Sequence, residues 1–292
     1  MHKRLAILLL MFLNSCSEHR PDSAVCTACE VARNAKRAAM QNPADNAVLD
    51  AYLATLPQTP KGSGNYAVEG DLKMSREQIQ AELSRSEAQQ QNEPGELIVN
   101  VVDGKYDYWR DPADRHLTYV FDSTTFPGQT EITFTRTHLA AAARDWEAAC
   151  PTCGITFEDL GEATPDLRMR ATFRVEYALP DGPVIAQSFF PSDPKPKRVL
   201  YVFPSYFGNT VFDPTGVLRH ELGHVIGYRH EQVIGIAGCA TEEGQWKMLT
   251  PYTSNSVMHY FCGGKGSHDL SLRDQDKRGH QCLYLTGKPC KK

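Results

Sequence analysis

The stretch that decides how this chain folds is HELGHVIGYRH, residues 220–230 of 292. His220 and His224 lie four positions apart, so on an α-helix both imidazoles project from one face and can bind one metal ion. Gly227 can adopt the left-handed backbone conformation that ends a helix and turns the chain. That turn would bring His230 back toward the helix, and the sequence therefore predicts a metal site with three histidines.

The residues around this motif favour a catalytic site. Three neutral imidazoles leave one position of a zinc ion open for water, whereas structural zinc sites are closed. Glu221 would lie beside that water and accept its proton as the water attacks a carbonyl carbon. Asp213 and Pro214 are a typical N-cap and first helical residue, which places the start of the helix before His220. In the alternative interpretation the histidines of this helix are incidental.

The composition limits the other classes of function. The chain has 31 basic and 35 acidic side chains, a net charge of −4 and 41% hydrophobic residues. This ordinary hydrophobic fraction and small net charge argue against intrinsic disorder. The basic excess that phosphate neutralisation needs is missing, so we expect no nucleic-acid partner. The length allows one large domain or two small ones, and we expect a monomer.

The N-terminus has the pattern of an export signal. Residues 2–4 are basic, and residues 5–13 form an apolar run that is too short to span a bilayer. The run ends before Cys16 in a way that resembles the lipobox of bacterial lipoproteins, where the cysteine is acylated. We therefore expect residues 1–16 to be a lipoprotein signal peptide, with a cell-envelope location and membrane contact only through the lipid. The alternative is an ordinary signal peptide and a secreted protein.

Eight further cysteines indicate disulfide bonds in an exported chain. Two C-x-x-C pairs, beginning at Cys26 and Cys150, also allow a thiol-redox site or a zinc ribbon. Cys150, however, follows a helical pattern, whereas a thioredoxin-like site opens a helix after a strand. The two pairs are also about 120 residues apart, far beyond the spacing of a zinc ribbon. Structural disulfides are the preferred interpretation, and their pairing stays open.

Two regions differ in their patterns. The expected elements of the polar region, residues 17–104, are helices at 26–40, 47–56 and 75–91, a strand at 66–72 and a linker at 58–64. Ser75 and Gln78 have the spacing of a capping box at the start of the third helix. Residues 105–292 predict an α+β domain with an amphipathic helix at 135–149. Its expected strands are 117–121, 155–157, 167–173, 185–190 and 199–203.

The pattern HExxHxxGxxH at residues 220–230 resembles the signature of the metzincin zinc endopeptidases. In that clan a methionine turn follows the histidines, and Met258 in the sequence SVMHY fits this position. The resemblance implies that Met258 forms an apolar base beneath the zinc ligands without binding the metal. Plain core packing is the alternative for this residue.

Two further likenesses concern individual families of the clan. Glu231 and Tyr260 resemble the astacins, where the tyrosine is an additional zinc ligand that stabilises the oxyanion and the glutamate is an ion-pair partner. The alternative for Tyr260 is a residue of the cleft wall. A second segment resembles the edge strand of the matrixins, whose backbone pairs antiparallel with a peptide substrate. Its residues are Ala186, Gln187, Ser188 and Phe189.

The resemblance covers residues 105–287 and is similar to exported bacterial matrixin-like or astacin-like proteases. It implies a metzincin (zincin-like) catalytic domain over residues 105–292, with a twisted mixed β-sheet, an active-site helix and a closing C-terminal helix. We also expect a disulfide between Cys239 and Cys262, which flank the segment between the zinc helix and the methionine turn. The implied activity is hydrolysis of internal peptide bonds by water activated at one zinc ion, with Glu221 as general base.

In this comparison residues 17–104 would be a pro-like segment. Val68-Glu69-Gly70-Asp71 resembles the F-x-G-D switch of astacin zymogens, and Asp71 would then occupy the water position on zinc. A Gly-Asp turn after a strand is the simpler alternative. The cysteine switch of the matrixins (PRCGxPD) is missing from the sequence, although Cys26 or Cys29 could serve if unpaired.

A non-proteolytic alternative is a zinc-binding surface lipoprotein that uses the retained cleft as a binding module. Such a protein is expected to have lost its general base, and Glu221 is present. We therefore expect protein or peptide substrates.

Overall fold

The computed structural model of the chain describes residues 27–68, 71–85, 96–179, 184–208, 211–234, 244–259 and 266–290. The expected signal peptide with Cys16 and the expected zinc ligand Tyr260 lie outside these residues. Among the described residues, no helix is both long enough and apolar enough to cross a membrane.

Residues 27–85 form an N-terminal unit with a small apolar core of its own. Its elements are α1 (Thr27–Gln41), α2 (Asn46–Leu53), β1 (Asn65–Val68), β2 (Leu72–Ser75) and α3 (Arg76–Arg85). The three predicted helices are present, but the strand predicted at 66–72 is an antiparallel hairpin of β1 and β2. Leu49 of α2 and Ile79 of α3 share a buried cluster. The predicted capping box is formed, since the Ser75 amide donates to Gln78 Oε1 at 2.8 Å.

The described residues from 96 to 290 form the main unit. Its first half contains β3 (Glu96–Val102), β4 (Lys105–Tyr106), β5 (His116–Phe121), α4 (Gln129–Ala149), β6 (Thr156–Glu162), α5 (Pro165–Arg170) and β7 (Phe173–Tyr177). Its second half contains β8 (Ala186–Gln187), β9 (Val199–Val202), α6 (Pro204–Gly208), α7 (Pro214–Val225), β10 (Tyr228–Arg229), β11 (Gln245–Thr250) and α8 (Asp274–Thr286). This mixture of helices and several sheets is compatible with the predicted α+β class.

The larger sheet of the main unit has five strands in the order β6-β5-β7-β9-β8. The first four strands are parallel, and the short edge strand β8 runs antiparallel to β9. Trp146 of α4 is fully buried and donates its indole N–H to the carbonyl oxygen of Arg219 in α7 at 2.8 Å. This bond ties α7, which carries the histidine motif, to the long helix α4.

Two strand predictions need correction. Residues 167–173 are mostly helix, because α5 covers Pro165–Arg170 and β7 begins only at Phe173. Thr164 caps this helix by accepting a hydrogen bond from the Leu167 amide at 3.2 Å, and Pro165 fits the first turn. Among the described residues, the strand predicted at 185–190 is regular only over Ala186–Gln187, and Ser188 follows it with a single β-bridge.

A second sheet has the order β10-β3-β11, and β4 pairs with β3 as a hairpin. Leu97, Ile98 and Val99 of β3 are fully buried. An apolar run of this kind needs cover on both faces, which a central strand receives. The boundary expected between residues 104 and 105 falls inside the β3–β4 hairpin, so the main unit begins with β3.

Two disulfides stabilise the main unit. Cys150 is bonded to Cys153 directly after α4, and Cys282 of α8 is bonded to Cys290. Cys150 and Cys153 are both buried. The expected disulfide between Cys239 and Cys262 lies outside the described residues.

Candidate metal centre

The helix α7 is fixed at both ends by the residues that the sequence indicated. The Asp213 carboxylate accepts a hydrogen bond from the Gly216 amide at 2.9 Å, and Pro214 is the first helical residue. Gly227, just after the helix, has a φ of 103° in the left-handed region. A Cβ at this position would overlap the carbonyl oxygen of Asp107, so only glycine fits. The tight turn brings the following residues back against the helix.

The structure brings the three predicted histidines together. The ring centroids lie 4.9 Å apart for His220 and His224, 4.7 Å for His224 and His230, and 5.0 Å for His220 and His230. All three side chains are buried. The Nε2 atoms of His220 and His230 are 3.1 Å apart. The imidazoles therefore point at one common position.

Backbone carbonyls set the orientation of two of these rings. His220 Nδ1 lies 2.8 Å from the carbonyl oxygen of Val257, and His224 Nδ1 lies 2.7 Å from that of Tyr228. A carbonyl oxygen can only accept, so each Nδ1 carries the hydrogen and each Nε2 keeps its lone pair. This is the arrangement in which a histidine binds a metal through Nε2.

Asp71 completes the cluster from the N-terminal unit. Its Oδ2 lies 3.1 Å from His220 Nε2, and its Oδ1 lies 3.1 Å from His230 Nε2 and 3.7 Å from His224 Nε2. The Asp71 side chain is also buried. One ligand atom from each of these four residues lies within 4.8 Å of the others, so the group could hold a metal ion.

The donor set fits a cation. With the hydrogen on Nδ1, His220 Nε2 faces the Asp71 carboxylate as one acceptor facing another, 3.1 Å apart. Acceptors at this distance repel each other unless a positive charge lies between them. Imidazole nitrogen and carboxylate oxygen are ligands for several transition metals, among them zinc.

The two carboxyl groups of the site, those of Asp71 and Glu221, have pKa values that are shifted in opposite directions. Burial alone raises the pKa of Asp71, but the neighbouring histidines, His230 foremost, hold this pKa well below its ordinary value. Burial, followed by the negative charge of Asp71, raises the pKa of Glu221 well above its ordinary value. Burial lowers the pKa of His224 to about 4, so its imidazole is neutral near pH 7. One carboxyl group thus stays charged, and the other is suited to hold a proton.

Glu221 lies next to His220 in α7 and is 2% exposed. Its Oε2 has no hydrogen-bond partner among the residues that the structure describes. A buried carboxyl oxygen of this kind is available to a group that is not part of the protein.

Met258 packs against α7, the helix that carries His220 and His224. It is fully buried, and a Cβ on Gly223 would overlap its sulfur, so the two residues pack as closely as glycine allows. The carbonyl oxygen of Met258 also accepts a hydrogen bond from the Glu231 amide at 2.9 Å. Met258 thereby connects the residue after His230 to the helix that carries the other two histidines.

Asp276 of α8 is a residue that sequence reasoning missed. Its buried carboxylate accepts hydrogen bonds from Ser256 Oγ at 2.6 Å and from the Val257 amide at 3.1 Å. Val257 in turn holds His220 through its carbonyl oxygen. Asp276 also accepts from the Arg273 amide at 2.8 Å as a local helix cap, but its partners near the histidines lie about twenty residues away, and only the fold brings them together.

The predicted edge strand lies beside this centre. Ala186 and Gln187 form β8 at the end of the larger sheet, and Ser188 and Phe189 follow it as buried residues. The ring of Phe190 lies 5.6 Å from that of His224.

Compared with known proteins, the chain matches no family model and no curated protein significantly. The geometry of the site is therefore the main support for its chemistry.

Proposed function

We propose that this chain is an exported zinc-dependent endopeptidase of the metzincin type, held latent by its own N-terminal unit. The observation that carries the proposal is the convergence of three buried imidazoles beside Glu221 in one helix and turn. Protein or peptide substrates would pair with the edge strand β8.

The residues have separate tasks in this reaction. His220, His224 and His230 would hold a zinc ion, which would act as a Lewis acid on the peptide carbonyl and would lower the pKa of water. Glu221 accepts the proton of the attacking water and passes it to the departing amine. The carbonyl oxygens that hold the Nδ1 atoms of His220 and His224 keep both rings in place throughout.

Asp71 supports latency. Its carboxylate lies 3.1 Å from His220 Nε2 and His230 Nε2, which supports the proposal that it would take the position of the water. Departure of Asp71 opens that position. It also removes a negative charge that raises the pKa of Glu221, which favours the ionised form of the general base. The N-terminal unit thus acts as a pro-segment with an aspartate switch.

The location follows from the cysteines and the N-terminus. Disulfides persist in oxidising compartments, and the main unit has two of them. We therefore retain export through residues 1–16, with a lipid anchor at Cys16.

The test uses the full chain with a recognition site for a specific protease placed between Arg85 and Glu96. The chain is cut at this site and then loaded with zinc. We expect cleavage of casein and of quenched peptides that a chelator abolishes. Glu221→Gln should lower the rate by about 10²–10⁴-fold while zinc content stays at one equivalent, because the general base is lost and the ligands remain.

Glu158→Gln is the matched control, since Glu158 is an exposed carboxyl paired with His116 on the sheet surface. This variant should keep the wild-type rate. One bound zinc without any cleavage, before or after the cut, would contradict the endopeptidase and favour a zinc-bearing binding protein.

A further inference from the structure

The Gln187 side chain in β8 has a partner that belongs to the N-terminal unit. The Thr59 hydroxyl donates to Gln187 Oε1 at 2.6 Å, and both residues are 0% exposed. Gln187 Nε2 is buried and has no hydrogen-bond partner among the described residues. If the amide were turned over, Nε2 would meet the hydroxyl and Oε1 would lack the partner. A hydroxyl both donates and accepts, so it suits this amide in either orientation.

The segment around Thr59 is docked on the main unit by further contacts. The Lys61 amide donates to the carbonyl oxygen of Leu179 at 3.1 Å. Ala67 shares a buried cluster with Phe203, which follows β9 directly. The segment therefore covers the sheet at β8 and β9.

This covered surface continues to the metal centre. The same segment leads from Thr59 to Asp71, whose carboxylate lies 3.1 Å from His220 Nε2. On the main unit, Phe190 follows Gln187 by three positions and its ring lies 5.6 Å from that of His224. The N-terminal unit thus contacts the edge strand through Thr59 and the metal centre through Asp71, and between these residues the chain folds back, since the Thr59 amide donates to the carbonyl oxygen of Asn65 at 3.0 Å.

We propose that Gln187 determines substrate specificity by binding the side-chain hydroxyl of a serine or threonine in the substrate. This inference rests on the proposed endopeptidase function. Thr59 fills the subsite in the latent chain, and a substrate residue takes its place after the N-terminal unit has left.

The chemistry of the subsite selects a hydroxyl over other groups. An apolar substrate side chain would displace water from Gln187 and leave its buried amide unpaired, which costs binding energy. A charged side chain would lose its hydration against a neutral amide and the apolar surface around Phe203. Serine and threonine satisfy the amide and match the size of the group that Thr59 places there.

The test uses the cut, zinc-loaded full chain in its wild-type form and as Gln187→Met. A peptide library compares threonine and serine with valine and alanine at each position around the cleaved bond. We expect threonine to be favoured over valine by about tenfold at one position. The ratio should fall to near one in Gln187→Met, because methionine keeps the length of the side chain without its amide. A ratio is used because it is insensitive to a general loss of rate in the variant.

A binding measurement separates this inference from the proposed function. Fluorescent peptides of residues 57–75, with and without Thr59→Val, are titrated onto the same cut chains. The substitution should weaken binding to the wild-type chain by about tenfold and have little effect on binding to Gln187→Met.

Hydrolysis with no hydroxyl preference at any position would overturn the Gln187 subsite and leave the endopeptidase standing. Absence of hydrolysis would contradict the endopeptidase, and the binding titration would then decide the subsite by itself. Equal affinity of both peptides for the wild-type chain would overturn it.

Discussion

The N-terminal unit and strand β3 both precede residue 104, yet they relate to the rest of the molecule in opposite ways. The N-terminal unit has its own apolar cluster and reaches the main unit through polar contacts of Asp71, Thr59 and Gln78 and through one small buried apolar cluster that contains Ala67. Strand β3 is hydrogen-bonded to β10 and β11 and is part of the large core. Under the proposed function the N-terminal unit leaves the molecule, whereas β3 stays as part of the core.

The site explains why this difference matters. Tyr228 of β10 pairs with Val99 of β3, and the Tyr228 carbonyl oxygen holds His224 Nδ1. Strand β3 therefore supports the turn that carries the third histidine. Among its described residues, the N-terminal unit contributes Asp71 to the same centre.

Truncation at two points should give the largest difference. Removing residues 17–95 should leave a folded main unit that binds zinc, whereas removing residues 17–104 should leave no cooperative fold. Burying each large apolar side chain of β3 contributes about 1.5–3 kcal/mol, against a total of about 5–15 kcal/mol for a domain. The buried side chains lost in the longer truncation are Leu97, Ile98, Val99 and Val101. Circular dichroism, thermal unfolding and zinc content measure the outcome, and a folded, zinc-binding protein that lacks residues 17–104 would break the comparison.

Acid should destabilise the main unit through His280, independently of the N-terminal unit. Burial, followed by the positive charge of Arg115, lowers the pKa of His280 from 6.5 to about 3. The unfolded chain therefore binds one more proton than the folded chain between these pH values, so stability falls as pH drops through this window. Between pH 6.5 and 4.5 the loss from this group should be about 2 kcal/mol. Urea unfolding across that range measures it.

Two substitutions, His280→Gln and the control His116→Asn, test whether His280 causes this dependence of stability on pH. His280 packs against Trp146 and lies 2.7 Å from the Tyr228 hydroxyl, whereas His116 is exposed on the sheet. His280→Gln should flatten the dependence on pH, and His116→Asn should retain it. Equal slopes in wild type and His280→Gln would refute the assignment.

Removing the switch carboxylate should release activity without any cut. Asp71→Ala removes a charged group that ties the N-terminal unit to the histidines, so the unit should leave the edge strand more often and the uncut chain should gain about tenfold to hundredfold in peptide cleavage. Asp45→Ala is the control, because Asp45 caps α2 in the same unit and does not touch the histidines. A gain of the same size in Asp45→Ala would mean that loosening of the unit, and not loss of the ligand, unlocks the site.

The parts of the site that sequence predicted are those set by short-range geometry. The spacing of His220 and His224, the cap at Asp213 and the left-handed turn at Gly227 are all local, and each is present. The α5 helix shows the opposite case. Apolar and basic residues alternate in it, as in a half-buried strand, but the cap at Thr164 favours the helix.

The remaining features depend on contacts between distant parts of the chain. Thr59 and Gln187 are 128 positions apart, and His220 and Asp71 are 149 apart. Only a resemblance indicated Asp71, and no signal indicated Thr59 or Asp276. The apolar run Glu96–Val102 was visible in the sequence, but its central place in the sheet depends on β10 and β11, which follow more than a hundred residues later.

The smallest expected effect tests one docking contact alone. Gln78 Nε2 donates to Asp193 Oδ1 at 3.0 Å, while Gln78 Oε1 accepts from the Ser75 amide in the capping box. Gln78→Glu keeps an acceptor for the capping box, since glutamate serves there as well, but it places a carboxylate against Asp193. Docking should weaken by about 1 kcal/mol, seen as roughly fivefold faster hydrogen exchange in the β1–β2 hairpin of the uncut chain.

Gln80→Glu is the matched control for this last experiment. Gln80 lies in the same helix α3 and donates to the carbonyl oxygen of Pro43, within the N-terminal unit itself. The same change of amide to carboxylate therefore disturbs the unit internally and spares this contact with the main unit. Faster exchange in Gln78→Glu but not in Gln80→Glu would show that polar docking holds the switch closed. Equal exchange in both would mean that the apolar contact of Ala67 with Phe203 is sufficient to keep Asp71 over the histidines.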